Sequence, residues 1–356
     1  MPCEIVGLHF YADSSELRPV DTVFDTPFAV DYAIAHEEAG FDRVLIGQTA
    51  TWPDGFAIAS HIAAVTSKLK FMVAHRPGFI APTMAARMFA TLDQLSGGRA
   101  GVHIITGASD KELECDGDFT SKEERYYRSR EYIDVLRMIW GSHSPADFKG
   151  DWYRFNQAFS KIKPVQAVLP VFWGGASDLA VKLGAECADV YAIGPGTLEQ
   201  TRALIAKFKT RAAEFGRNPG ISMSVRIIVG DTTEEAWKKA ENVLERVTQI
   251  QRDGTKIGRD KGKDDLAASH LMALASQGEC LDTCLWTGVA KATEGRLQAM
   301  ALVGTAEEVS DALLEYYRAG VDRFLINGFD TIQDVRLFGR DLIPMIKQKV
   351  SAEDAR

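Results

Sequence analysis

Residues 70–107 read KFMVAHRPGFIAPTMAARMFATLDQLSGGRAGVHIITG. An apolar run at 70–76 is followed by a segment of helical period at 83–95 and a second apolar run at 101–106. Neither run alternates polar with apolar residues, which is how a strand buried on both faces of a parallel sheet reads. A helix between two such strands makes a βαβ unit. The same alternation extends in both directions. Further strands are expected at 5–10, 43–47, 171–175, 190–194, 222–229 and 323–327, and helices at 28–39, 124–140, 198–215 and 233–250. Eight strands with helices between them in 356 residues predict a (β/α)8 barrel in the α/β class. A doubly wound sheet is the alternative, weakened because no GxGxxG follows the first strand.

An internal echo supports a repeated unit. EAGFDRVLI at 38–46 matches RAGVDRFLI at 318–326, each with a glycine suited to a left-handed helix cap just before a strand. Two stretches break the rhythm. Residues 147–155 (DFKGDWYRF) read as a small hairpin, and residues 252–299 hold a charged, glycine-bearing insert with no clear strand. Long inserts in compact domains are usually lids or binding loops. No domain boundary is evident, so residues 1–356 are expected to form a single domain.

Composition narrows the partners. Forty-one Lys and Arg against 49 Asp and Glu leave a net charge of −8, with no basic block, which disfavours nucleic acid and anionic membranes. The apolar runs are too short to span a bilayer, and the start MPCEIVGLHF lacks a signal-peptide pattern. Five scattered cysteines suit reduced thiols and a cytoplasmic setting.

In a barrel of this kind, chemistry sits at the carboxyl ends of the strands. Those positions carry His9, Gln48, Thr49, His75, Arg76, Thr106, Gly174 to Ser177, Gly194, Arg226 and Asn327. The set is rich in donors and cations and poor in carboxylates, so paired-acid glycosidase chemistry is excluded. No HExxH or comparable metal spacing appears, nor a GxSxG elbow. An anionic ligand or cofactor fits better. WGGASD at 173–178 closes a strand and opens a helix, where free N–H groups and Ser177 can hold a phosphate. A plain βα turn with Ser177 or Asp178 as helix cap is the equal alternative there. Arg226 lies in an otherwise apolar strand and is read either as a partner for an anion or as half of a structural ion pair.

The pattern RPxxxxPTxxARxxATLDxLSxGR at 76–99, with ERY at 124–126, the GGAS turn and GFD at 328–330, resembles the bacterial luciferase-like flavin monooxygenases. Within them it is most similar to the two-component FMNH2-dependent alkanesulfonate monooxygenases. The resemblance covers nearly the whole chain. It implies a (β/α)8 barrel, an FMN supplied reduced by a separate NAD(P)H-dependent flavin reductase, and use of O2 to oxygenate a small organic substrate. For a sulfonate, carbon–sulfur cleavage would give sulfite and a carbonyl compound. A homodimer or homotetramer is expected.

By the same resemblance, flavin positions fall on Gln48, Thr49, His103 and Glu112, and phosphate positions on Arg125, Tyr126, Gly175 and Ser177. His103 stands where relatives often have Asn, which makes a pH-dependent charge conceivable. The substrate residues depart more. Trp52 replaces a cysteine, Ser224-Val225-Arg226 replaces Arg-x-His, and Phe329 replaces a tyrosine. Arg226 and Arg296 are expected to bind the anion, with His9 and Trp52 shaping the pocket. Two other readings remain: a deazaflavin (F420)-dependent dehydrogenase on the same barrel, and a non-catalytic flavin-binding relative.

Overall fold

The structure is a computed structural model that describes residues 3–15, 17–19, 22–107, 109–255, 257, 266–297 and 299–356. The fold is a closed, eight-stranded parallel (β/α)8 barrel with extra strands. Its strands are β1 (Glu4–His9), β2 (Arg43–Ile46), β3 (Lys70–His75), β4 (Ala100–Ile104), β5 (Val171–Gly174), β6 (Val190–Ile193), β7 (Gly220–Gly230) and β8 (Arg323–Asn327). All eight lie where the apolar runs put them, because a two-sided burial leaves little room for polar residues.

By internal packing the chain divides into two compact units. One comprises Met1–Arg43, Ala192–Lys207 and Gly220–Arg356, and the other Val44–Tyr191 and Phe208–Pro219.

The first unit explains the sequence echo. Gly40 and Gly320 have φ of +81° and +108° and end their helices, as the pattern requires. The aspartates that follow accept from the amides opening neighbouring strands: Ile5 N donates to Asp42 (2.8 Å) and Ile221 N to Asp322 (3.1 Å). The arginines after them, Arg43 and Arg323, both donate to the Glu4 carboxylate, at 2.8 and 3.0 Å. The repeat is therefore a device for pinning strand starts.

In the same unit, β7 is 11 residues long and serves two partners. Its residues 222–226 pair with β8, and residues 226–230 pair with a further parallel strand, Ala301–Thr305. That strand continues into an antiparallel pair, Leu285–Trp286 and Cys280–Leu281. The expectation of no strand in 252–299 is thereby corrected. Two-residue strands are too short to show any period, and Ala301–Thr305 was not anticipated either. Helix Thr233–Arg252 covers these additions, with Ala236, Ala240 and Val247 in one buried cluster with Trp286 and Val303. Residues 256, 258–265 and 298, which belong to the expected lid, lie outside the described residues.

The second unit holds β3, β4 and β5 in parallel register. Here the most specific part of the sequence pattern finds its role. Buried Asp93 accepts from Ala100 N, Val165 N, Gln166 N and the Gln166 amide. Arg99 donates to the carbonyls of Ala63, Thr66, Leu69 and Ser96. Both side chains knot the amino end of β4, the end opposite the candidate chemistry. The expected hairpin is present as Ala146–Lys149 with Arg154–Ala158. Among the described residues no helix is long and apolar enough to cross a membrane.

Candidate active site

In the second unit, strand register sorts the side chains. Ala74 pairs with His103, and His103 with Phe172, so these three share one face of the sheet. His75 points to the other face, where it hydrogen-bonds the Tyr132 hydroxyl at 2.7 Å and packs edge-on against Phe89. Alternation returns Arg76 to the Ala74 and His103 face. At the end of β2 the Trp52 ring comes within 2.6 Å of where a Cβ on Gly47 would stand.

The loop after β4 is strapped down by arginines. Arg76, 4% exposed, is ion-paired with Glu112 and donates to Gln48 O at 3.4 Å. Glu112 also accepts from Ala50 N at 3.0 Å, which ties the loop after β2 to the loop after β4. Arg125, 2% exposed, donates to Asp110 (2.6 Å), Thr106 O (2.8 Å) and Thr120 O. Arg128 pairs with buried Asp118. Hydrogen bonds from Arg128 and Thr120 outweigh burial and hold the Asp118 carboxyl down at about 2. Gly78, with φ of +113°, leaves room for the Arg128 guanidinium, whose Cζ is 2.5 Å from where a Cβ would sit.

After β5 the backbone forms a cradle. Gly175 has φ of +142°, and a Cβ there would meet both the Tyr126 hydroxyl and Ala180 Cβ at 2.6 Å. Tyr191 donates to Gly175 O, fixing the peptide from the other side. Ser177 caps helix Asp178–Cys187, its Oγ accepting from Ala180 N at 3.2 Å. The helix-cap alternative is thus present in the structure, and the remaining first-turn amides still face outward from the helix end.

Two groups on this face are conspicuous for open valences. His103 Nδ1 and Arg76 Nε and Nη1 are buried with no hydrogen-bond partner among the described residues. Burial also pushes the His103 imidazole down to about 4. That shift favours the neutral imidazole. Gln48 and Thr49 are half-buried, and Gln48 O accepts from Arg76.

The strand ends of the first unit are aromatic. His9 is fully buried with Tyr11 and Tyr32 rings each 5.8 Å away, and neither ring nitrogen has a partner among the described residues. Desolvation first, and the nearby His36 second, push it to about 3. Arg226, 8% exposed, donates to Gly328 O and lies 4.9 Å over the Phe329 ring. Asn327 is its register partner and has a buried, unpartnered Nδ2 among the described residues. The GFD turn is held by the Asp334 carboxylate, which accepts from Phe329 N (2.8 Å) and Asp330 N (2.6 Å). Burial raises Asp334 to about 6. Arg296 lies in the insert, half-exposed and ion-paired with Glu294 at 3.2 Å.

The structure thus brings Gln48, Thr49, Trp52, His103, Glu112, Arg125, Tyr126, Gly175 and Ser177 into one unit, and His9, Arg226 and Arg296 into the other. Sequence reasoning noted Arg76 as a strand end but did not select it. The signal was available: an arginine held extended by the proline that follows it. Asp334 left no signal, since its role depends on a turn geometry that no motif announces. Among the described residues no group of His, Cys, Asp and Glu is arranged to hold a metal.

Comparison with solved structures returns the same architecture. EDTA monooxygenase from Chelativorans sp. BNC1 superposes with a TM-score of 0.80 at 16% identity, over 98% of this chain and 94% of that one. DmoA from Hyphomicrobium sulfonivorans gives 0.77 at 20%, over 98% and 89%. An F420-dependent secondary alcohol dehydrogenase gives 0.70 at 20%, over 97% and 99%. At such identities these likenesses speak for the fold. The family model for luciferase-like monooxygenases matches residues 9–323, and the chain belongs to that family.

Proposed function

We propose that the protein is a flavin-dependent monooxygenase that uses FMNH2, delivered by a separate NAD(P)H-dependent reductase, and O2 to oxygenate a small organic anion, with an organosulfur compound such as a sulfonate as the leading class. The observation that carries this reading is the second unit's strand-end face. A backbone cradle at Gly175 with Ser177 and Tyr126 suits a phosphate, and the unpartnered atoms of His103 and Arg76 suit the polar edge of a ring. The residues present fit FMN on both counts.

Bound there, reduced FMN would supply the reaction of O2 and the transfer of one oxygen atom. The chain's own work is narrower. Ser177, Tyr126 and the helix N-terminus would hold the phosphate, Arg125 would keep the loop beside them in place, and Glu112 with Gln48 and Thr49 would frame the ring. Trp52 on Gly47 would wall off water from the β2 side. Arg226 would present a guanidinium to the substrate anion, joined by Arg296 from the insert, and neutral His9 would fix the layer behind β1. EDTA monooxygenase acts, by its name, on a polycarboxylate, which agrees with an anionic substrate.

Incubation with FMN, NADH and a flavin reductase in air, across a panel of sulfonates, tests the reading through sulfite release. Sulfite from at least one substrate, dependent on both reductase and O2, is expected. Substrate oxidation that needs F420 and proceeds without O2 would replace it with the dehydrogenase reading. That alternative has a precedent in the F420-dependent alcohol dehydrogenase of the same fold.

A further inference from the structure

We propose that Arg76 is a ligand-facing residue of the cofactor site, donating to a ring carbonyl oxygen of the bound flavin and not to its phosphate; this rests on the flavin reading above. The strand ends at His75, and alternation carried one residue past it puts Arg76 on the face of Ala74 and His103. Of its five N–H donors, those on Nη2 go to Glu112 and Gln48 O. Nε and Nη1 have no hydrogen-bond partner among the described residues, and the Asp116 carboxylate stands 3.9 Å from Nη1, outside bonding distance. A guanidinium 4% exposed with donors on two nitrogens unused is costly unless an acceptor arrives. His103 Nδ1, buried on the same face, is open in the same way.

Charge and distance then choose the acceptor. Glu112 already neutralises the guanidinium, so the free donors suit a neutral carbonyl oxygen better than a second full anion. The cradle at Gly175 follows β5, and β3, β4 and β5 are adjacent strands. Two strand spacings put Arg76 about 10 Å from the cradle. Arg76 Nη2 reaches Gln48 O after β2, the neighbour of β3 on the side away from β5. The guanidinium thus turns away from the cradle, and a ribityl chain spans the gap and would leave the ring at Arg76. Glu112 sets the plane of the guanidinium and, through Ala50 N, the position of the loop it faces.

Anaerobic equilibrium dialysis of reduced FMN and of reduced riboflavin, which lacks the phosphate, tests this. Arg76→Met should weaken both ligands by the same factor, about 10-fold or more, the scale of one lost hydrogen bond. Ser177→Ala should weaken FMN alone. Arg76→Lys keeps the charge and the fold but offers a point donor, and it should also weaken both ligands while melting within a few degrees of wild type. That variant decides the matter if the methionine variant does not fold. Loss of FMN affinity with riboflavin unchanged would reassign Arg76 to the phosphate, and unchanged affinity for both would make it purely structural; either overturns the proposal. If the wild-type protein binds neither flavin, it is the flavin reading itself that fails.

Discussion

At the carboxyl ends of β3, β4 and β5, three arginines (Arg76 and Arg125, buried, and Arg128, half-buried) each meet a carboxylate from residues 110–118. At those of β1, β7 and β8, Arg226 lies over an aromatic ring, donates to a carbonyl and acts on the Asp334 carboxylate through its charge, and His9 lies among tyrosines. Compensated charge at the first place fixes a loop whose geometry is set by several bonds at once. At the second, one cation lies over a ring that a different side chain could replace. The difference suits a frame for an unchanging cofactor in the second unit and a surface open to change in the first.

Acid should expose this contrast most strongly. Burial holds His9 at about 3 and His36, His75 and His103 at about 4, all below the ordinary 6.5. As pH falls from 6.5 toward 4 the unfolded chain takes up these protons and the folded one does not, so stability is lost over that window. Asp334 has the opposite sign: raised from 3.8 to about 6, it favours the folded state as pH falls. Near pH 5 unfolding should therefore take up roughly three protons, a slope of about 4 kcal/mol per pH unit. His75 and His103 are unopposed in the second unit, whereas Asp334 offsets one histidine in the first. Hydrogen-exchange protection should fall further in β3 and β4 than in β1 and β8 between pH 7 and 5. Equal losses would erase the contrast.

Arg125→Met ranks next. It would leave the carbonyls of Thr106 and Thr120 without their buried donor and exposed Asp110 without its partner, for about 2–4 kcal/mol in urea unfolding. Arg226→Met should cost clearly less than half of that, and a cost as large would show that the first unit is equally fixed. Arg226→Lys should lower kcat/KM by about 30- to 1000-fold, equivalent to about 2–4 kcal/mol, because lysine lacks the fork. Its melting temperature and flavin affinity should stay near wild type. A lysine variant that melts far lower yet turns over normally would make Arg226 a structural residue.

The same contrast governs what could be read from sequence. The eight barrel strands were legible because burial on both faces leaves uninterrupted apolar runs, as in Val171–Gly174. The hairpin of Cys280–Leu281 and Leu285–Trp286 was not, since two residues carry no period. The pattern that names the family was legible too, yet Asp93 and Arg99, its most specific members, knot the far end of β4. What identifies the chain is mostly what holds it together. The pairings of Arg76, Arg125 and Arg128 with residues 110–118 follow no fixed spacing, and only folding reveals them.

Trp52 has a practical consequence. Its indole is 41% exposed beside Gly47, whereas Trp173 and Trp286 are buried. A half-wet indole emits toward the red and is quenched by any chromophore that settles within a few ångströms and absorbs in that band, as flavins do. The protein thus carries an optical probe at the end of β2. Subtracting the emission of Trp52→Phe from that of the wild type would isolate a signal that follows ligand arrival in real time, with no label added.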